Sequence, residues 1–178
     1  MSARIVRPTL AQLQACYDLE TRFTPEAPGA EENGFFLPGA PFSLYEDLLE
    51  SGYVRIIADG AGVASYIAAV PPGHAAVRRL LSDGGSLKMT DAKHRPDPEK
   101  SVWIAKIATA PAHRRKGHAA ALYQKVFSEF LGMTAYTATA LSPLRNKASE
   151  IFHESQSMQT CGVFMKGDGV NLVWMKKT

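Results

Sequence analysis

Residues 101–141 constrain the fold most. An apolar run, SVWIAKIAT (101–109), leads into a short turn, APAHRRKG (110–117). An amphipathic stretch follows, and then a second β-rich run, MTAYTATAL (133–141). Ala119, Leu122, Tyr123, Val126, Phe127 and Phe130 recur at helical spacing and predict a helix with a wide buried face. The run 101–109 is apolar at most positions, as expected of a central strand covered on both faces. A strand–helix–strand crossover should leave strands 101–109 and 133–141 parallel.

The flanking sequence supplies hairpins. YVRIIAD and GVASYIAAV surround DGAG, and TCGVFMK and VNLVWMKK surround GDG; both are hairpin signals. RIVR (4–7) is a short strand candidate. Thr9 with Gln12 forms a capping-box pattern that opens a helix reaching about Arg22. Ser43 with Glu46 opens another, which Gly52 is placed to end. PLRNKASEIFHESQS reads as a further helix, with Pro143 near its first turn and Leu144, Ala148, Ile151, Phe152 and Ser155 on its inner face. The Pro- and Gly-rich stretch 24–41 is an ordered loop whose Phe35 and Phe36 either plug the core or face a substrate. Segment 73–100 is the least patterned. HAAVRRLL within it is a helix candidate, and DAKHRPDPEK reads as polar and mobile. The expected class is α/β in the α+β sense: a mixed, mostly antiparallel sheet of six to seven strands with about four helices.

Composition narrows the function. At 178 residues and 46% apolar, the chain can fill one core, so residues 1–178 read as a single domain. The net charge of +3 is small and its signs alternate along the chain, which argues against nucleic acid as a partner. No apolar run approaches the ~20 residues of a membrane span, so no membrane partner is expected. Cys16 and Cys161 are far apart and lack metal-ligand spacing. They read as small buried hydrophobes in a reducing compartment, and no metal site is expected. With no signal-peptide pattern at the N-terminus, the expectation is a cytoplasmic protein.

The turn before the central helix poses an electrostatic problem. A helix start carries roughly half a positive charge and several unpaired N–H groups, so acidic residues suit it. Here His113, Arg114, Arg115 and Lys116 stand there instead. Such a turn repels itself unless an anion occupies it. Gly117 lets a bulky anion reach the backbone, and Ala119 keeps the first turn small. The spacing is neither GxxxxGK[ST] nor GxGxxG, which excludes those two phosphate-binding patterns.

The stretch IATAPAHRRKGHA (107–119) resembles the acyl-CoA pyrophosphate loop of the GNAT superfamily of N-acetyltransferases, with Pro111, Arg114, Gly117 and Ala119 at its pattern positions. The later segment PLRNKASEIFHESQSM (143–158) is similar to a second family segment, and the order of elements fits the family fold. The resemblance implies acetyl-CoA as acyl donor, a splayed central strand pair and a primary-amine acceptor, either a small molecule or a protein. It implies that the backbone of Ile107, Ala108 and Thr109 holds the acetyl carbonyl. Arg114, Arg115, Lys116, Gly117, His118 and Ala119 would hold the pyrophosphate, and Asn146 would hydrogen-bond the pantetheine arm or the acyl end. Homodimers are common among similar proteins.

Two departures from the family pattern stand out. The usual Gly-Phe after the second segment is Ser157-Met158. The family's Tyr, which protonates the departing thiolate, corresponds to His153, or to Phe152 if the register slips by one. An imidazole suits proton exchange near neutrality, so His153 is the catalytic candidate. No base stands out. The central strand carries Lys106 where the family sometimes places Glu; it reads either as a solvent-facing side chain, the favoured reading, or as an attractor for an acidic group on the acceptor. The competing function is a non-catalytic acyl-CoA-binding or regulatory module that keeps the loop and has lost its proton-transfer groups.

Overall fold

The structure is a computed structural model and describes residues 4–36, 41–50, 52–60, 62–82 and 86–178. Eight strands form one sheet: β1 (Ile5–Val6), β2 (Tyr53–Asp59), β3 (Gly62–Val70), β4 (Leu87–Met89), β5 (Ser101–Thr109), β6 (Thr134–Ser142), β7 (Gln159–Lys166) and β8 (Gly169–Lys177). Their spatial order is β1-β2-β3-β5-β6-β8-β7-β4. Every neighbouring pair is antiparallel except β5 with β6, the parallel pair that the crossover demands. Ala61 of the first hairpin turn and residues 37–40 of the Pro/Gly-rich loop lie outside the described residues.

Six α-helices accompany the sheet: α1 (Leu10–Glu20), α2 (Ala30–Asn33), α3 (Phe42–Glu50), α4 (Ala75–Ser82), α5 (His118–Glu129) and α6 (Lys147–Ser155). The Thr9–Gln12 capping box forms in both directions, and α1 ends two residues earlier than predicted. Leu122, Tyr123, Val126 and Phe127 of α5 bury against β3 and β5, each side chain contributing ~1.5–3 kcal/mol of apolar transfer energy. On the opposite face Leu13 and Cys16 of α1 and Tyr45 and Leu48 of α3 pack over Tyr66 and Ala108. Both cysteines are buried and free, and burial raises the Cys16 thiol to about 12.

Three expectations need correction. The sheet has eight strands, because the three residues of β4 pair with Phe164, Val163 and Gly162 at its edge. A Cβ at Gly162 would lie 2.4 Å from the Lys88 carbonyl oxygen, so the two backbones meet closely where side chains give no periodic signal. Among the described residues there are six helices rather than about four: α2 lies in the loop, and α4 forms from the HAAVRRLL candidate that the count of four left out. The helix expected from Pro143 begins at Lys147, capped by Asn146, whose side chain accepts from the Ser149 N–H at 3.1 Å. That later start turns the helix. Ile151 is 67% exposed and Ser155 is also exposed, while Glu150, His153 and Gln156 turn inward.

Candidate active site

The parallel pairing of β5 with β6 lasts only three residues, Ser101–Trp103 against Thr134–Tyr136. Beyond it the strands part, and the Thr137 hydroxyl donates to the Ile104 carbonyl at 2.9 Å where a ladder bond would otherwise form. A register shift in the β3–β5 ladder, where Ala68 faces Lys106 and Ala69 faces Ile104, marks a bulge at Ala105. The Ala110 N–H donates to the Ala64 carbonyl at 2.9 Å. By antiparallel alternation, Ala108 then turns its peptide groups to β3, while those of Ile107 and Thr109 face the gap. Of the three backbone positions expected to line the site, two present amides to the gap. The gap widens into a cleft of about 590 Å³.

One end of the cleft is the basic turn. Arg115 and Gly117 adopt left-handed φ angles of 60° and 78°, which fold the chain tightly into α5. Gly117 caps α5 without a side-chain hydrogen bond, so the first N–H groups of the helix have no cap. A Cβ built at Gly117 meets nothing within 4 Å, so the space over the helix start is open. Arg114, Arg115, Gly117, His118 and Ala119 line the cleft. Lys116 is exposed beside it and is not part of the lining. Arg114 donates to Asn33 Oδ1 at 3.2 Å and stacks 4.8 Å over the Phe23 ring, and His113 Nε2 lies 3.0 Å from Asp59 Oδ2.

The loop 21–36 closes one side. The Phe36 N–H donates to the Phe23 carbonyl, and Asn146 Nδ2 donates to the Phe35 carbonyl at 3.0 Å. Phe35 is buried with Ala30 and Ala140, as a core plug, and Phe36 lines the cleft. Asn146 also lines the cleft, as the cap of α6.

His153 lies on the opposite wall, only 3% exposed, among Phe152, Tyr123 and Trp174. Its Nδ1 is 3.1 Å from the Tyr123 hydroxyl. Burial away from water disfavours the charged ring and lowers its pKa to about 4, so His153 is neutral at pH 7. Burial likewise raises Tyr123, which keeps its proton.

The floor of the cleft beneath Phe36 holds a polar cluster that the sequence reading missed. Lys106 does not point to solvent: its side chain is 16% exposed, and Nζ is 2.6 Å from Glu20 Oε1. Glu20 Oε2 accepts from the Tyr45 hydroxyl, and the Tyr66 hydroxyl lies 3.4 Å from the same oxygen. Glu20 follows Leu13 and Cys16 at helical spacing, an acid on the buried face of α1; that was the available signal.

A cleft formed by parting parallel strands, with an uncapped basic helix start at its mouth, is the geometry that the resemblance implied. A family model for the GNAT acetyltransferases matches residues 13–157. The chain belongs to the GNAT acetyltransferase family. Among curated proteins none matches it by sequence. Solved GNAT-type structures share its fold over nearly the whole length. An acetyltransferase of the GNAT family from Streptococcus agalactiae is 16% identical, with TM-score 0.66 and 98% and 95% of the two chains covered. NAA60 from Arabidopsis thaliana, in complex with a bisubstrate analogue, is 11% identical with TM-score 0.66, covering 97% and 96%. The ribosomal-protein-S18-alanine N-acetyltransferase of Escherichia coli is 14% identical with TM-score 0.63, covering 97% and 91%. Among the described residues of this GNAT protein, no three His, Cys, Asp or Glu side chains gather as a metal site, and no helix is long and apolar enough to cross a membrane.

Proposed function

We propose that the protein is an N-acetyltransferase that moves the acetyl group of acetyl-CoA directly to a primary amine. The observation that carries this reading is the opening between β5 and β6, whose edge amides at Ile107 and Thr109 lead to the uncapped start of α5. The pyrophosphate rests on the N–H groups of His118 and Ala119, with Arg114 and Arg115 beside it, a site that combines helix dipole, free donors and cationic side chains. The acetyl carbonyl takes hydrogen bonds from the gap-facing amides of β5, which are fixed before the reaction and stabilise charge as it develops on oxygen.

The amine lone pair forms the new C–N bond, the C–S bond breaks, the amine loses one proton, and the thiolate gains one. Glu20 is committed to Lys106 and the two tyrosines, so water carries the amine proton out. His153 works as a neutral ring: in the tautomer that carries N–H on Nε2, Nδ1 accepts from the Tyr123 hydroxyl 3.1 Å away and Nε2 hydrogen-bonds the departing sulfur, and solvent completes its protonation. The missing acid is the observation that favours the second reading, a module that binds acyl-CoA without turnover. Thiol release with a panel of amines, followed by mass analysis of the product, separates them. Acetylated amine together with free CoA supports the enzyme; tight binding with no thiol release supports the module.

A further inference from the structure

The cluster beneath Phe36 points to the acceptor. We infer that Lys106, held by Glu20, is a subsite for a carboxylate, and that the acceptor is an amine that also bears a carboxylate. This rests on the acetyltransferase reading above.

The distribution of donors carries the argument. Glu20 is buried on α1 and receives Lys106 on one oxygen and tyrosine hydroxyls on the other. Both of its oxygens are engaged by side chains of the protein. Lys106 differs. Its ammonium has three donors and one carboxylate partner, its Nζ lies 4.9 Å from the centroid of the Phe36 ring, and it lines the cleft. Glu20, Tyr45 and Tyr66 therefore orient a lysine whose remaining hydrogen-bonding capacity serves the cleft.

Position agrees. Lys106 follows the Ala105 bulge and precedes Ile107, whose peptide faces the gap. Four lysine and arginine side chains line the cleft (Lys106, Arg114, Arg115 and Lys166) against one carboxylate, Glu32. With Arg114 and Arg115 at the phosphate end, Lys106 is the cation at the floor. Lys106 is paired with Glu20 at 2.6 Å, so what it offers the cleft is hydrogen-bond donors rather than net charge. The Phe23 and Phe36 rings beside it suit an apolar substituent on the acceptor.

The test compares matched acceptors: each of the common amino acids, its carboxamide and its decarboxylated amine, with acetyl-CoA and thiol release as the readout. At least one amino acid should show kcat/KM tenfold or more above both its carboxamide and its amine. Lys106→Met should reduce that preference to within about twofold, and Lys106→Arg should retain it. Melting temperatures show that each variant is folded. Calorimetry with the matching N-acetyl amino acid in the presence of CoA should show affinity falling at least tenfold in Lys106→Met, while the N-acetyl amine is unaffected. Decarboxylated amines or carboxamides that react as well as the amino acids would overturn the carboxylate subsite and leave the acetyltransferase reading intact. An equal loss for all acceptors in Lys106→Met would overturn it too. Absence of thiol release with every amine would remove the acetyltransferase reading itself.

Discussion

His153 Nδ1 lies 3.1 Å from the Tyr123 hydroxyl, joining α6 to α5 across the wall of the cleft. Phe152 and Trp174 enclose the imidazole, and burial alone lowers its pKa. The histidine is thus a neutral ring beside a protonated tyrosine. On the proposed mechanism it contributes one hydrogen bond, which sets the size of the effects expected from its removal.

His153→Phe should lower turnover by ~10- to 100-fold, the worth of one hydrogen bond to a charged group. Acetyl-CoA affinity should change little. Tyr123→Phe should reproduce most of the loss, because it frees the tautomer. Steady-state rates with titration calorimetry check this. An unchanged rate in His153→Phe would remove the ring from the mechanism.

The same burial makes stability depend on pH. His153 has a folded pKa of about 4 against an ordinary 6.5, so between these values the unfolded chain binds more protons. Stability from this group is complete above pH 6.5 and falls as pH drops toward 4, by on the order of 3 kcal/mol in total. Urea unfolding of wild type and His153→Gln at pH 7 and pH 4.5 measures the difference. The variant should lose less stability on acidification, and parallel losses would contradict the buried neutral ring.

At the phosphate end, Gly117→Ala puts a side chain on a residue with φ of 78°, which costs ~1–2 kcal/mol without a steric clash. It should lower the melting temperature by a few degrees. Arg115→Ala should weaken CoA binding by ~10-fold and flatten its salt dependence, because it removes one exposed phosphate-facing charge. Calorimetry at two salt concentrations checks both statements.

Away from the cleft, Gly162→Ala would bring a methyl carbon to 2.4 Å from the Lys88 carbonyl oxygen, so β4 must move off β7. The expected loss is ~1–3 kcal/mol, with hydrogen-exchange protection falling at Lys88 and Met89 while β5 is unaffected.

What the sequence made legible follows from period and from local rules. The apolar run of β5, the helical face of α5 and the strand pairs β2–β3 and β7–β8 follow local signals, and they are present in the structure. The basic turn and the helix it opens were legible because both are local: three basic residues and Gly117 precede the apolar face of α5. The rest depends on long-range pairing. β4 is three residues long, and the close backbone approach of Gly162 defines it. Asn146 looks like a helix residue until its side chain is seen to cap α6. Lys106 looked exposed because its partner, Glu20, is 86 residues away.

The most direct test is calorimetric titration of the protein with CoA, acetyl-CoA and a fragment lacking the pyrophosphate, such as pantetheine. CoA and acetyl-CoA should bind with similar affinity and raise the melting temperature, while pantetheine binds at least tenfold more weakly. Absence of heat and thermal shift with both CoA species, or pantetheine binding as tightly as CoA, would contradict a pyrophosphate held at the start of α5.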